Sequence, residues 1–212
     1  MARTRGKMPL PDNAVRERLL RVATELFARK GYAAATTREI VAAAQVTKPV
    51  LYYYFGSKEG LYLELMQRAF KRFEGVVEAS VTGAENVRQR LLRLCDQTFG
   101  LIVEEIEVVR LMYSIYYGPP QGAPFFDFDA VHQRLFEAIE GLVTEGIRRK
   151  ELRRGKTKDM TWALLGAIHV TLENELCHPE RELGHDGLRR ILYLILQGIS
   201  IGDERGRKGG RK

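Results

Sequence analysis

Lys48, Pro49, Val50, Tyr52 and Tyr53 crowd into the run VTKPVLYYYF at residues 46–55. A lysine there supplies a cation for a phosphate oxygen or a guanine edge, and proline and valine supply apolar contact for a thymine methyl. Tyrosine rings lie along sugars while their hydroxyls reach phosphates. Thr37 and Arg38 just upstream, helped by free N–H groups at a helix start, and Lys58 just downstream add further phosphate ligands. Together these groups suit contact with duplex DNA. A second set could do different chemistry: His169, Glu173 and Cys177 are spaced four apart, with Asn174 beside them. Such a row can hold a metal or hydrogen-bond a ligand. Positions i and i+8 lie about 12 Å apart along a helix axis, so only two of the three would meet at one ion. Structural accommodation is the reading adopted, with hydrogen bonding to a ligand or across an interface as the alternative, and no metal or cofactor is assigned.

Such groups act only if the chain holds them in place. Apolar residues recur at helical spacing almost everywhere, and no segment shows the sustained two-residue alternation of hairpins, so an all-α fold is expected. Pro11, Asp12 and Asn13 open a first helix whose stripe of Val15, Leu19, Val22, Ala23, Leu26 and Phe27 ends at Gly31. Thr36, with Glu39 three residues on, forms a capping box for a short second helix reaching about Ala44. Thr47 offers the next N-cap, and Pro49 sits in a first turn where its missing N–H costs little. With Leu51 taken as the inward direction, Thr47, Tyr54 and Phe55 fall within about 60° of it, whereas Pro49, Tyr52 and Tyr53 point away. Lys48 and Val50 lie on the flanks. The competing reading packs Tyr52 and Tyr53 beneath a larger domain.

Longer helices are expected at about 58–81, 85–104, 107–117, 127–151, 157–178 and 186–201. GPPQGAP at 118–124, Arg154 with Gly155, and His178 with Pro179 break them. The resulting organisation is a basic arm at 1–11, a helix-turn-helix domain at 12–57, a helical domain at 58–202 and a basic tail at 203–212.

Charge is distributed unevenly. Residues 1–58 carry 11 Lys and Arg against 4 Asp and Glu, residues 59–202 carry 18 against 21, and the last ten carry 5 against 2. A basic first quarter on a mildly acidic body suggests that one end meets a polyanion. The arm, with Arg3, Arg5 and Lys7, reads as a solubilising tail, or else as a source of phosphate or minor-groove contacts. No run approaches the roughly 20 apolar residues of a membrane span, and the first residues lack the apolar segment of a signal peptide, so a cytoplasmic protein without membrane partners is expected. Cys95 and Cys177 form neither a disulfide framework nor a CxxC knuckle, and both are expected to be buried thiols.

The run TTREIVAAAQVTKPVLYYYFGSKEGLY resembles the DNA-binding segment of the tetracycline-repressor (TetR) family, and the preceding ELFARKGYAAATT fits the same pattern over about residues 14–65. The resemblance implies a three-helix helix-turn-helix domain followed by a larger helical bundle that dimerises through a four-helix interface. It also implies that Thr37, Arg38, Lys48, Pro49, Val50, Tyr52, Tyr53 and Lys58 sit where family members touch DNA. One departure stands out: Gln45 occupies a turn position where the family usually has glycine, and where positive φ is often needed.

Two helices of the larger domain are apolar over a broad arc, which fits burial against a second copy or within a single-chain bundle. The expected dimer face comprises Trp162, Leu165, Leu172 and Leu176 with Leu188, Ile191, Leu192, Ile195 and Ile199. Two copies would then present recognition helices about 34–36 Å apart to a partly palindromic operator. Aromatic and polar residues elsewhere, Phe99, Met112, Tyr113, Tyr116, Tyr117, Phe126, Trp162, His169 and Glu173, are candidates for a small-molecule effector site, which the resemblance implies; aromatic stripes are otherwise plain core. The expected function is a homodimeric transcriptional regulator, a repressor, released from double-stranded DNA when a small, largely apolar ligand binds. The alternatives are an architectural DNA-binding protein without effector and a helical-bundle enzyme using His169 and Glu173. Against the enzyme, the chain has no Gly-rich phosphate loop, nucleophile elbow or HExxH.

Overall fold

A computed structural model describes residues 13–181 and 183–200. The arm with Arg3, Arg5 and Lys7, the expected helix start at Pro11 and Asp12, and the basic tail lie outside these residues. Among the described residues the elements are helical: α1 (Asn13–Lys30), α2 (Thr37–Ala43), α3 (Lys48–Phe55), α4 (Lys58–Val81), α5 (Val87–Glu104), α6 (Ile106–Tyr116), α7 (Phe128–Arg148), α8 (Thr157–Cys177) and α9 (Gly184–Ile199), with a short 3-10 turn at Pro179–Arg181. One isolated antiparallel bridge, Leu152 with Ser200, ties the α7–α8 connection to the end of α9. The Arg153 N–H donates to Ile199 O there at 2.7 Å.

The chain forms two compact units, one built from residues up to Ala69 together with Glu107–Phe126, the other from Phe70–Ile106 and the residues from Asp127 onward. The first unit is organised around α1, whose Leu19, Leu20, Val22, Ala23, Leu26 and Phe27 are all buried. Ile40 and Val41 of α2, Leu51 of α3 and Leu61, Tyr62, Leu65 and Met66 of α4 complete its core. Salt bridges run from α1 to α4, Arg16 to Glu64 and Glu17 to Arg68, and from α1 to α2, Lys30 to Glu39. The segment after α6 belongs here as well. Gln121 Oε1 accepts from the Tyr32 N–H at 2.8 Å, while its Nε2 donates to Ser114 O at 3.0 Å. Gly31 makes room for this contact: φ is +80°, and a Cβ would lie 2.6 Å from Gln121 Oε1.

The second unit packs α5, α7, α8 and α9 around Leu91, Leu94, Phe99, Ile139, Val143, Leu164, Ile168, Leu188, Leu192 and Leu196. The helix before Lys150 ends earlier than its sequence suggests. α7 stops at Arg148, where the expected helix ran to about 151, because Lys150 takes a left-handed conformation (φ 59). The Lys150 and Glu151 N–H groups then turn back onto Ile147 O and Gly146 O, closing the helix end.

Burial overturns part of the expected dimer face. Leu165, Leu172, Leu188 and Leu192 are 6%, 4%, 0% and 0% exposed, so they fill the core of their own protomer. Ile191, Ile195 and Ile199 are partly buried against that core, and Leu176 is half-buried. The apolar side chains left outside on α8 and α9 are Trp162, Val170, Tyr193 and Leu194. Cys95 is buried as expected, but Cys177, in the last turn of α8, is exposed. Burial pushes the Cys95 thiol up to about 12, aided by the neighbouring Asp96 carboxylate.

Candidate nucleic-acid interface

The helix-turn-helix is assembled by local chemistry. Thr36 caps α2: its hydroxyl accepts from the Glu39 N–H at 3.2 Å, and Glu39 Oε2 accepts from the Thr36 N–H at 2.9 Å. The Glu39 carboxyl is held far below the usual carboxylate range, to about 2, by hydrogen bonds from Lys30 and then from Thr36. α2 ends in a paired turn in which the Gln45 N–H donates to Ala42 O and the Val46 N–H to Val41 O. Gln45 sits at its left-handed position, with φ 54. A glutamine therefore occupies the conformation that glycine favours. Arg18 Nε donates to Ala44 O at 2.8 Å, anchoring this turn to α1.

α3 begins after Thr47, which stands in the N-cap position but makes no side-chain capping bond. It is exposed, unlike the inward side chain its helical angle suggested, because it lies at the helix end. Leu51 is fully buried, and its burial fixes the rotation of the helix. Tyr52 and Tyr53, 49% and 47% exposed, face outward with Lys48 and Pro49. Val50 is half-buried on the flank; Tyr54 and Phe55 are half-buried too, and the Tyr54 ring meets Tyr53 edge-on at 5.1 Å. On α2, Arg38 is exposed and Thr37 half-buried. Lys58, the expected phosphate ligand at the start of α4, is half-buried. Its ammonium sits 4.2 Å from the Tyr32 ring centroid, and burial lowers its pKa.

The candidate effector residues divide between the two units. Met112, Tyr113, Tyr116, Tyr117 and Phe126 belong to the first unit, and Phe99, Trp162, His169 and Glu173 to the second. Tyr116 and Tyr117 are 42% and 66% exposed, whereas Phe99 is fully buried. Two described grooves, of about 370 and 580 Å³, are lined on α5 and α9 by Asp96, Arg189 and Tyr193 and on α4 and α5 by Arg72, Val76 and Leu101. None of the nominated residues lines either groove. In the His169 row, Glu173 and Cys177 are exposed, while His169 is half-buried. Its ring lies 5.8 Å from that of His132. Burial, and then proximity to His132, lowers the His169 pKa. Among the described residues no group of three or more His, Cys, Asp or Glu is arranged to hold a metal ion. No described helix is long and apolar enough to cross a membrane.

Residues 19–65, the stretch that carries this geometry, match the family described as bacterial regulatory proteins, tetR family. The fold is also similar to that of a TetR-like transcriptional regulator from Rhodococcus sp. RHA1, with a TM-score of 0.71 over 95% of this chain and 100% of that one at 21% identity. Residues 19–65 are thus similar to the DNA-binding segment of the TetR family. The chain is 40% identical over 116 residues to the transcriptional activator FasR of Mycolicibacterium smegmatis, 54% of this chain and 52% of that protein. The match thus spans about half the length of FasR. It is 22% identical over 188 residues to the transcriptional repressor DhaR of Mycobacterium sp. strain GP1, covering 87% and 92%. Both of these relatives are named as transcriptional regulators.

Proposed function

We propose that the chain is a homodimeric transcriptional regulator, a repressor, that binds a partly palindromic DNA operator through α3 and leaves it when a small, largely apolar ligand occupies the second unit. The observation that carries the reading is the division of α3. Leu51 is sealed inside while Lys48, Pro49, Tyr52 and Tyr53 stand outside, an aromatic and cationic surface that needs a partner rich in phosphate and sugar. Arg38 and Thr37 at the start of α2 supply backbone contacts beside it. The exposed Trp162, Val170, Tyr193 and Leu194 on α8 and α9 support pairing with a second copy, in place of the leucines buried in the protomer. Release requires that the ligand favour a spacing of paired α3 helices that the operator disfavours. Anisotropy titrations against duplex DNA test the reading. Lys48→Ala and Tyr53→Ala each weaken binding about 5- to 100-fold with unchanged melting temperature and oligomeric state. Wild-type affinity in both variants overturns it.

A further inference from the structure

Residues 107–126 belong to the first unit, yet the chain enters this segment from Ile106 and leaves it at Asp127, both in the second unit. α6 thus packs with the DNA-reading helices while both ends of its segment are covalently continuous with the other unit. The Gln121 side chain joins the segment to the end of α1. It sits in the run GPPQGAP, where Pro119, Pro120 and Gly122 are exposed and Gln121 itself is half-buried. Its Oε1 accepts from the Tyr32 N–H at 2.8 Å, and its Nε2 donates to Ser114 O at 3.0 Å and to Ser114 Oγ at 3.1 Å.

Both helix ends call for such a partner. The Tyr32 N–H lies just past the end of α1, and Ser114 O belongs to the last turn of α6, where no further turn follows to bond it. A primary amide suits both, with an acceptor oxygen for the first and N–H donors for the second. Gly31 leaves room for the contact, since a Cβ there would lie 2.6 Å from Gln121 Oε1. Tyr32 in turn is 4% exposed. Its ring meets Phe27 of α1 at 5.3 Å and Tyr62 of α4 at 5.1 Å, with the Lys58 ammonium 4.2 Å from its centroid. Four residues further on, Thr36 caps α2. Gln121 therefore grips the joint at which α1 and α4 meet and from which the chain runs into α2.

We propose that Gln121 is a positioning residue for DNA reading: its amide locks the α6 segment to the Tyr32 joint, prealigns α2 and α3 for the duplex, and carries to them a change that a ligand makes in the second unit. The proposal rests on the ligand-responsive reading above and names the residue that transmits the response. Three neutral hydrogen bonds at a half-buried amide are modest in net strength, so the lock can open. Opening it returns to the reading helices a freedom that duplex binding must remove again. Coupling is reciprocal: if the α6 segment biases duplex binding, the duplex must bias the α6 segment.

The test uses the full chain, the duplex that the wild-type protein selects from a random pool, and the variants Gln121→Met and Gln121→Glu. Methionine matches glutamine in length without its polar groups, whereas glutamate keeps an acceptor for the Tyr32 N–H but has no donor for Ser114. In wild type, saturating duplex slows amide exchange in residues 112–118 by about threefold or more, and in both variants that response disappears. Both variants bind the duplex about 5- to 10-fold more weakly, with helix content and salt slope unchanged because no phosphate contact is lost. A role confined to the fold would lower the melting temperature but leave no duplex-dependent exchange at 112–118 for the variants to abolish. The proposal is overturned if wild-type exchange at 112–118 ignores the duplex, if either variant keeps the response, if affinity in both stays within about twofold of wild type, or if their salt slope becomes as shallow as that of Lys48→Ala. In each of these cases the regulator reading stands as long as Lys48→Ala and Tyr53→Ala weaken binding. Duplex affinity unaffected by Lys48→Ala and Tyr53→Ala sinks that reading and the proposal with it.

Discussion

Replacing Gln45 by glycine should stabilise the DNA-binding unit, and the size of the effect follows from one dihedral angle. Gln45 is held at φ 54 by the turn that closes α2, with Val46 N–H on Val41 O at 2.9 Å and Arg18 on Ala44 O. A side chain in this region costs about 1–2 kcal/mol relative to glycine. Glycine gives back about 0.4–1 kcal/mol through the greater freedom of the unfolded chain, so Gln45→Gly should stabilise by about 0.5–1 kcal/mol. Hydrogen exchange at the Val46 amide reads this locally. Trp162, the single tryptophan, belongs to the other unit and would not report it. Protection should rise about 2- to 5-fold, duplex affinity should stay within about twofold, and the β-branched Gln45→Val should lower protection. Lys150→Gly, at φ 59 in the matching turn after α7, should act in the same direction. A loss of protection in Gln45→Gly would refute the reasoning, because it would mean that glutamine side-chain contacts outweigh backbone strain.

Acid should loosen the start of α2. The folded Glu39 carboxyl lies at about 2, below its unfolded range, so its contribution is present above about pH 4.5 and disappears as pH falls toward 2. Glu39→Gln should flatten that part of the stability profile measured by circular dichroism. Thr36→Ala removes the other half of the cap and should cost about 1 kcal/mol at neutral pH in a denaturant titration. Leu194→Glu, at a side chain 69% exposed on α9, should shift the protein toward monomer in sedimentation without lowering its helix content. A thiol reagent should titrate Cys177 at once and Cys95 only after unfolding, since Cys95 is buried with its pKa raised to about 12.

The parts of this structure that local chemistry determines were readable in the residues. Thr36 and Glu39 announce a helix start because each side chain satisfies the other's backbone N–H, and α2 begins there. Leu51 against Tyr52 and Tyr53 announces an inside and an outside because helical geometry separates them by angle. What escaped depends on distant partners. Periodicity marks Leu165, Leu172, Leu188 and Leu192 as apolar faces but cannot distinguish a protomer's own core from a second copy, and they fill the former. Nothing near Gln121 signals that it reaches Tyr32 N–H, 89 positions away in sequence. The position of Lys58 at a helix start is legible in sequence, but not that its ammonium lies against the rings of Tyr32 and Phe27.

The salt dependence of duplex binding tests the central claim most directly. With phosphate contact through α3, log affinity falls linearly with log salt, by about 0.9 for each phosphate neutralised, and Lys48→Ala makes the slope shallower by about 1 per protomer. A wild-type slope near zero, or a slope that Lys48→Ala leaves unchanged, would contradict the account.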